Sequence, residues 1–312
     1  MQAFPTFIGG FRSGTTLLVN LLGMHPALVP WFETKELCEL LRWLRVLAEP
    51  SEAAFEANYI TPNEPAGFDL DAAYARMLAQ MRATEARQSG ATQSGKAGHE
   101  RYPLGNDHVR YPLVEGEALL HAWYERCKAD HSLPTVRVAS ADLLRALGAA
   151  QCATTPSPYW INKTPEISRF AAELRELLGP CRVIYMVRNG FEVVASASNL
   201  GWGKTEDLAF NWKGLLERTR NAMKGEEDRY LELRYEGLLQ APVETLNQVF
   251  AFLGVEPKGE EIVAEFTSRF GSDAFSRPAA APPARLPAEE HARFMAVAGD
   301  LQIALGYPHL FQ

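Results

Sequence analysis

The chain lacks the paired cysteines that zinc sites, redox motifs and disulfide frameworks require. Its 312 residues include four cysteines, which are widely spaced and form no Cys-x-x-Cys pair. Disulfides persist mainly in oxidising compartments, so this usage favours reduced thiols. The first predicted strand begins within a few residues of Met1, and we expect no export signal. We therefore expect a cytoplasmic location.

Long apolar runs and an excess of positive charge are also missing. No run approaches the roughly 20 apolar residues that a membrane span needs. The chain has 31 Lys and Arg residues against 38 Asp and Glu, which gives a formal net charge of -7. This balance argues against bulk nucleic-acid binding. We expect neither a membrane span nor a nucleic-acid partner, and the oligomeric state stays open, a homodimer included.

Short apolar runs alternate with amphipathic helical patterns along the chain. The runs predict strands at 4–9, 158–161, 182–187 and 230–234. Strands separated by helices favour a mainly parallel sheet with right-handed crossovers. The predicted fold is α/β, a P-loop-like three-layer arrangement with the sheet flanked by helices. Ligands of such sheets bind outside the carboxyl ends of the strands.

The length suits a single domain spanning residues 1–312. We expect a core at 1–36 and 155–312, with a helical insertion at about 37–154 between its two parts. Helical patterns at 34–48, 69–87, 113–131 and 141–150 support the insertion. Residues 88–108 are rich in Gly, Ser and Asn and predict a loop or lid.

The first predicted strand runs directly into a glycine-rich loop, GGFRSGTT at residues 9–16. Compared with the G-x-x-x-x-G-K-[ST] pattern, Gly9, Gly14 and Thr16 keep the spacing, but Thr15 replaces the lysine. Glycines let the backbone wrap an anion at the N-terminus of a helix. Without the lysine that reaches β- and γ-phosphates, the loop suits a 5′-phosphate or a phosphate anhydride. The alternative is a simple glycine turn that opens a helix.

The full RSGTTL string after an N-terminal strand resembles the 5′-phosphosulfate loop of sulfotransferases that use 3′-phosphoadenylyl sulfate (PAPS). Arg12 adds a permanent cation to this loop, and its hydroxyl groups add further donors. The resemblance implies that the cofactor is bound by Arg12, Ser13, Gly14, Thr15 and Thr16.

A second motif follows the most apolar predicted strand. Arg188 ends that strand, and Ser196 lies eight residues later in the following helix. An arginine there can bind phosphate through charge-assisted hydrogen bonds, or it can simply cap the sheet. The same spacing in the sulfotransferase family holds the 3′-phosphate of PAPS, so the resemblance assigns that role to Arg188 and Ser196. Ser198 is the alternative serine.

Two further residues carry the implied chemistry. The order RSGTTL, His25-Pro26 and then Glu33 resembles tyrosylprotein-type and related bacterial sulfotransferases, which implies that Glu33 is the general base. Glu36 is the competing carboxylate, and Glu33 could instead act only as a charge at a helix N-terminus. His25 is interpreted as a structural turn residue, because Pro26 follows it directly.

The string Asn162-Lys163-Thr164-Pro165 follows a short predicted strand and precedes a helix. In the tyrosylprotein type a lysine at this place contacts the transferring group and the bridging oxygen. The resemblance therefore makes Lys163 catalytic, with Arg12 sharing its charge. The alternative is a solvated loop lysine.

Two more nucleotide contacts are implied. Tyr235 lies in an Arg-Tyr-Glu stretch after the fourth predicted strand, where related sequences place a tyrosine near the nucleotide; core packing is the alternative. The family often places a basic residue on the 3′-phosphate late in the chain, and Arg277 lies in a suitable irregular segment.

The resemblance implies a PAPS-dependent sulfotransferase that moves a sulfuryl group to a hydroxyl, releases 3′,5′-ADP and requires no metal. We expect a small-molecule, lipid or carrier-bound acceptor rather than a peptide tyrosine. Aromatic residues, Trp202 among them, could line its pocket or belong to the core. The alternatives are a P-loop small-molecule kinase, disfavoured by Thr15, and a nucleotide-binding module without catalysis, disfavoured by Glu33 and Lys163.

Overall fold

Five parallel strands form the centre of the molecule, in the order β2-β3-β1-β4-β5. The computed structural model describes residues 5–48, 69–88, 111–154, 157–271, 274–275 and 286–307. The strands are β1 (Thr6–Gly9), β2 (Leu28–Phe32), β3 (Tyr159–Lys163), β4 (Arg182–Val187) and β5 (Tyr230–Arg234).

Helices connect the strands and cover both faces of the sheet. In the first half of the chain they are α1 (Thr15–Gly23), α2 (Lys35–Ala48), α3 (Leu70–Gln88), α4 (Leu113–Ala129) and α5 (Leu133–Ala153). In the second half they are α6 (Ala171–Leu178), α7 (Gly190–Ser198), α8 (Thr205–Ala222), α9 (Tyr235–Gln240), α10 (Pro242–Leu253), α11 (Gly259–Phe270) and α12 (Ala288–Ala304).

Side chains of the central strands point alternately to the two faces of the sheet, and helices cover both faces, which gives three layers. Ile8 and Ile184 are buried against α1, α10 and α11 on one face of the sheet. Phe7 packs on the other face with the helices that follow β2, and Tyr185 packs there against α7, α8 and α12. Because successive side chains of a strand point to opposite faces, a strand covered on both sides is apolar throughout. The predicted three-layer α/β fold with a parallel sheet is confirmed.

One strand was missing from the prediction. Residues 28–32 form β2, and Pro30 within them argues against a central strand, because proline cannot donate to the hydrogen-bond ladder. The structure resolves the conflict, since β2 lies at the edge of the sheet and pairs only with β3. The predicted helix after Pro165 also differs: a 3₁₀ turn, Ile167–Phe170, precedes α6.

The helices of the predicted insertion share a core with the edge of the sheet. Trp31 of β2 and Trp160 of β3 make an edge-on contact with ring centroids 5.6 Å apart. Gln151 of α5 donates from Nε2 to the carbonyl of Pro30 at 3.2 Å. Between α2 and α4, Trp43 and Trp123 also meet edge-on. The helices therefore pack directly beside the strand that leads to Glu33.

Candidate active site

The candidate site residues that the structure describes lie at the carboxyl edge of the sheet. Glu33 directly follows β2, and Lys163 is the last residue of β3. The glycine-rich loop follows β1, Arg188 follows β4, and Tyr235 follows β5. Because the strand order is β2-β3-β1-β4-β5, these groups form a row with the loop at its centre. The sheet thus places Glu33 and Lys163 on one side of the loop and Arg188 and Tyr235 on the other.

The loop after β1 requires glycine at two positions, and two separate reasons apply at each of them. Gly10 has φ 124° and Gly14 has φ 83°, both in the region that favours glycine. A Cβ atom on Gly10 would lie 2.5 Å from the carbonyl oxygen of Met186, and one on Gly14 would lie 2.3 Å from a ring carbon of Tyr235. Backbone conformation and close packing therefore both fix the shape of this loop.

The N-terminus of α1 is suited to an anion. Its first N–H groups have no partner within the helix, and the helix dipole places positive charge there. α1, which is described in full, has no acidic side chain in its first turn. Ser13 is buried and donates from Oγ to the carbonyl of Phe11 at 2.9 Å, which stiffens the loop. Thr15 is also buried.

Glu33 and Lys163 meet directly. Nζ of Lys163 donates to Oε1 of Glu33 at 2.8 Å and to Oγ1 of Thr16 at 3.2 Å. The lysine side chain is completely buried, whereas that of Glu33 is 25% exposed. Glu33 also has φ 42°, a left-handed conformation that is uncommon for a residue other than glycine. Such conformations cluster at functional sites.

The competing carboxylate has a structural environment. Glu36 is buried and accepts hydrogen bonds from the hydroxyl of Tyr111 at 2.6 Å and from Oγ1 of Thr84 at 3.3 Å. These bonds tie α2 to α3 and to the segment before α4. Glu36 is therefore held inside the insertion, while Glu33 is the carboxylate in contact with Lys163.

A buried ring of three polar side chains supports this pair, and sequence reasoning did not identify it. Nδ2 of Asn162 donates to Oγ1 of Thr34 at 2.5 Å, and Oγ1 of Thr164 donates to Oδ1 of Asn162 at 3.2 Å. Thr34 and Thr164 are 3.2 Å apart between their Oγ1 atoms. Thr34 therefore donates to Thr164, which closes the ring. The three residues are chain neighbours of Glu33 and Lys163 and fix their backbones.

On the opposite side of the loop, two arginines and a serine come together. Nε and Nη2 of Arg12 donate to Oγ of Ser196 at 3.2 and 3.1 Å. Nη1 of Arg188 donates to the carbonyl of Arg12 at 3.1 Å. Arg12 has φ 52°, so the loop holds it in a left-handed conformation. Ser198 lies two residues beyond Ser196 and hence on another side of α7.

The charges of this cluster act on one another. Burial lowers the pKa of Arg12, the like charge of Arg188 lowers that pKa further, and Glu33 raises it. Arg12 nevertheless stays protonated, as arginine does in proteins. The structure thus places its guanidinium against Ser196, within electrostatic reach of Glu33. Two neighbouring guanidinium groups form an arrangement that a bound anion would stabilise.

Aromatic rings border both ends of the loop. The guanidinium carbon of Arg188 lies 4.5 Å from the ring centroid of Tyr235, whose ring also packs against Gly14. Trp202 lies near the start of the loop. The guanidinium carbon of Arg12 is 5.3 Å from its ring centroid, and the ring of Phe11 lies beside it. Trp202 is 53% exposed, which sets it apart from the aromatic residues buried in the core.

The turn after β4 is braced from the C-terminal helix. Oε1 of Gln302 accepts from the backbone N–H of Gly190 at 3.0 Å, and its Nε2 donates to Oδ1 of Asn189 at 2.9 Å. Glu236 accepts from the N–H of Asn189 at 3.2 Å and from the hydroxyl of Tyr307 at 2.9 Å. No sequence motif indicates Gln302, because its role depends on a contact between distant helices.

His25 lies away from the row of site residues. Its Nδ1 accepts from the backbone N–H of Ala27 at 3.1 Å, so the ring proton lies on Nε2 and is donated to the carbonyl of Glu256 at 2.9 Å. Burial lowers the pKa of His25, and the bond to Glu256 partly opposes that effect. The geometry agrees with the structural turn that the sequence indicates.

Two expectations fall on parts of the chain with no structural description. Arg277 and most of the predicted 88–108 loop lie outside the described residues.

Within the described ranges, no helix is both long and apolar enough to cross a membrane. The same part of the chain contains no group of three or more side chains that could hold a metal ion.

Comparison with known proteins identifies the class. A model of the sulfotransferase family matches residues 5–258. The match covers well over half of the chain, and the chain therefore belongs to the sulfotransferase family, whose chemistry is the transfer of sulfuryl groups. No curated protein sequence matches the chain significantly.

Solved structures of sulfotransferases resemble the chain at low sequence identity. The sulfotransferase STF9 from Mycobacterium avium is 15% identical, with a TM-score of 0.54, over 98% of this chain and 78% of that one. STF1 from Mycobacterium tuberculosis is 20% identical, with a TM-score of 0.48, over 95% and 77%. The sulfotransferase domain of the Synechococcus PCC 7002 olefin synthase is 18% identical, with a TM-score of 0.45, over 96% and 94%. Only the first score supports a shared fold.

Proposed function

We propose that this sulfotransferase uses PAPS as the donor and transfers its sulfuryl group to a hydroxyl, with Glu33 as the general base. The observation that carries the proposal is the division of the site into two charged ends. Lys163, Glu33 and Thr16 form one end, and Arg12, Arg188 and Ser196 form the other. The glycine-rich loop and the N-terminus of α1 lie between them.

The end beside β4 suits the 3′-phosphate. Arg12 and Arg188 present guanidinium groups there, and Ser196 adds a hydroxyl. Neighbouring strands lie roughly 4.8 Å apart, so β3 and β4, with β1 between them, are about 10 Å apart. That separation favours a ligand with two distinct anionic groups over a single chain of phosphates on one loop. A nucleotide with groups on both its 5′ and 3′ positions is such a ligand.

The end beside β3 suits the reacting groups. In-line transfer forms a bond from the acceptor oxygen to sulfur and breaks the bond from sulfur to the phosphate oxygen. The acceptor proton goes to Glu33, and the electron pair of the broken bond stays on the phosphate of 3′,5′-ADP. Lys163 and the N–H groups of α1 stabilise the charge that develops on that oxygen. A buried lysine already in contact with Thr16 is well placed for this task.

The acceptor is proposed to bind against the helical insertion at about 37–154, within a single domain that spans the chain. Helix α2 begins two residues after Glu33, and its neighbours α3, α4 and α5 pack beside β2. A small molecule, a lipid or a carrier-bound chain remains our proposal for the acceptor. The four cysteines are free thiols, in keeping with the cytoplasmic location that we propose.

The test is a transfer assay with PAPS and a panel of hydroxyl compounds that includes phenols, sterols, lipid alcohols and carrier-bound hydroxyacyl chains. We expect sulfated product and an equal amount of 3′,5′-ADP without added metal. The matched control is Glu33→Gln, which should form both products about 10²-fold more slowly or slower still. Phosphorylation of the same acceptors from ATP and Mg²⁺, with no reaction from PAPS, would overturn the proposal in favour of a kinase.

A further inference from the structure

Arg188 is engaged by the protein itself at each of its three side-chain nitrogens. Nε and Nη2 both donate to Oε2 of Glu192, at 3.0 and 2.8 Å, and Nη1 donates to the carbonyl of Arg12 at 3.1 Å. The ring of Tyr235 covers one face of the guanidinium. The side chains of Arg188 and Glu192 are only 18% and 13% exposed. A carboxylate therefore lies beside the guanidinium to which the proposed function assigns the 3′-phosphate.

A helical surface pair is the ordinary explanation for charges four residues apart, and it does not account for this one. Such pairs lie on exposed helix surfaces and contribute only a few tenths of a kcal/mol. Arg188, however, precedes α7, and the pair lies in the row of site residues at the carboxyl edge of the sheet. Glu192 in the first turn also places negative charge at the N-terminus of α7, where an anion would otherwise be favoured.

We propose that Glu192 sets the affinity for the 3′-phosphate by opposing it, an inference that rests on the proposed function. Arg12 and Arg188 carry two positive charges, and Glu192 reduces the net charge of this cluster to one. A phosphate monoester carries about 1.5 to 2 negative charges at neutral pH. A bound phosphate must either compete with Glu192 for the donors of Arg188 or lie next to the Glu192 carboxylate. Either way, like-charge repulsion weakens the complex.

This arrangement has a consequence for turnover. PAPS and 3′,5′-ADP share the 3′-phosphate, so a 3′-phosphate site built only from cations would also hold the product tightly and slow its release. Glu192 limits that affinity and provides a ready partner for Arg188 when the product leaves. We therefore assign Glu192 as a positioning residue that acts through Arg188 and governs nucleotide release, not the sulfuryl transfer step.

Calorimetry with 3′,5′-ADP and 5′-AMP tests the assignment. Glu192→Gln keeps the size of the side chain and an oxygen that can accept from Arg188, but removes the charge. We expect the Kd for 3′,5′-ADP to fall about tenfold while the Kd for 5′-AMP stays nearly constant. A purely structural role would change both affinities together. Glu192→Met removes the charge as well and serves if the Gln variant folds poorly.

Glu217→Gln, an exposed change in α8, is the matched control for the loss of one negative charge and should leave both affinities unchanged. A wild-type preference for 3′,5′-ADP that Glu192→Gln leaves unchanged or reduces would overturn this inference alone. Equal wild-type affinities for the two nucleotides would instead overturn the proposed function, and this inference with it.

Discussion

Nζ of Lys163 lies 2.8 Å from Oε1 of Glu33, although the two residues are 130 positions apart in the chain. The contact exists because β2 and β3 are parallel neighbours whose last residues, Phe32 and Lys163, are in register. The backbone N–H of Glu33 also donates to the carbonyl of Lys163 at 2.6 Å. The sheet itself therefore assembles a carboxylate and a cation beside the glycine-rich loop.

Glu33→Gln should reduce sulfuryl transfer by about 10²-fold or more, because the amide cannot accept the proton of the acceptor hydroxyl. The affinity for 3′,5′-ADP should change little, since the Arg188 end of the site is untouched. Steady-state rates and calorimetry measure the two effects separately.

Glu36→Gln is the matched control for that experiment. It alters a buried hydrogen-bonded carboxylate and should lower the melting temperature, at a cost of about 1–3 kcal/mol, while transfer by the folded enzyme persists. If Glu33→Gln transferred sulfuryl groups at the wild-type rate and Glu36→Gln lost transfer, the general base would be Glu36.

Arg188→Ala should weaken 3′,5′-ADP far more than 5′-AMP. A hydrogen bond to a charged group contributes about 1.5–3 kcal/mol, which corresponds to a roughly 10- to 150-fold loss for the bisphosphate alone. Calorimetry with both nucleotides gives the ratio. Arg220→Ala, which removes a cation paired with Glu232, is the control. Equal losses for both nucleotides in Arg188→Ala would contradict the 3′-phosphate role.

Gly14→Ala should destabilise the loop and abolish nucleotide binding. The new Cβ atom would meet the Tyr235 ring at 2.3 Å, and the residue would have to keep a positive φ. We expect a cost of about 1–3 kcal/mol in the free energy of unfolding. Gly214→Ala in α8 is the matched control, because the added atom meets open space; it should stabilise the helix by up to about 1 kcal/mol.

The double change Gly14→Ala with Tyr235→Ala separates the two causes in that prediction. Removing the ring relieves the contact but not the backbone strain, so part of the stability should return. Full recovery would mean that the backbone conformation contributes nothing, and no recovery would mean that Tyr235 is not the obstacle. Thermal unfolding of the wild type, of Gly14→Ala, of Tyr235→Ala and of the double variant measures the cost of the contact and the cost of the backbone strain.

Stability should decrease as the pH falls below about 6.5, the ordinary pKa of histidine, partly because of His25. Burial lowers its pKa in the folded state, so the unfolded chain takes up a proton first and is favoured in that range. His25→Gln should flatten the decrease in the free energy of unfolding between pH 7 and pH 5. An unchanged slope in His25→Gln would contradict the assignment.

The sequence predicted the fold class and the grouping of the site residues, because strand ends can be identified locally. Apolar runs marked β1, β3, β4 and β5. Because ligands of parallel sheets bind outside the carboxyl ends of the strands, Lys163 and Arg188 were then expected in one crevice. The strand β2 was missed, since Pro30 is compatible with a strand only at an edge, and edge position is a property of the whole sheet. Glu33 was singled out only through the resemblance to a family pattern, and its role as the base stays a prediction.

The supporting residues could not be predicted in the same way. Gln302 reaches Asn189 from a helix more than a hundred residues away, and no local pattern marks that contact. The pairing of Arg12 with Ser196 likewise depends on how β1 and β4 lie side by side. Sequence reasoning placed the Arg12 charge beside Lys163, whereas the structure directs its guanidinium to Ser196. A role at both ends stays a prediction for Arg12.

The central claim is that the site holds a nucleotide with anionic groups on both its 5′ and 3′ positions. Titration of the wild-type protein by calorimetry with 3′,5′-ADP, and separately with ATP and Mg²⁺, tests it most directly. The two charged ends on either side of the loop predict tight, metal-independent binding of 3′,5′-ADP and much weaker binding of ATP with Mg²⁺. Binding of ATP with Mg²⁺ and none of 3′,5′-ADP would contradict the account.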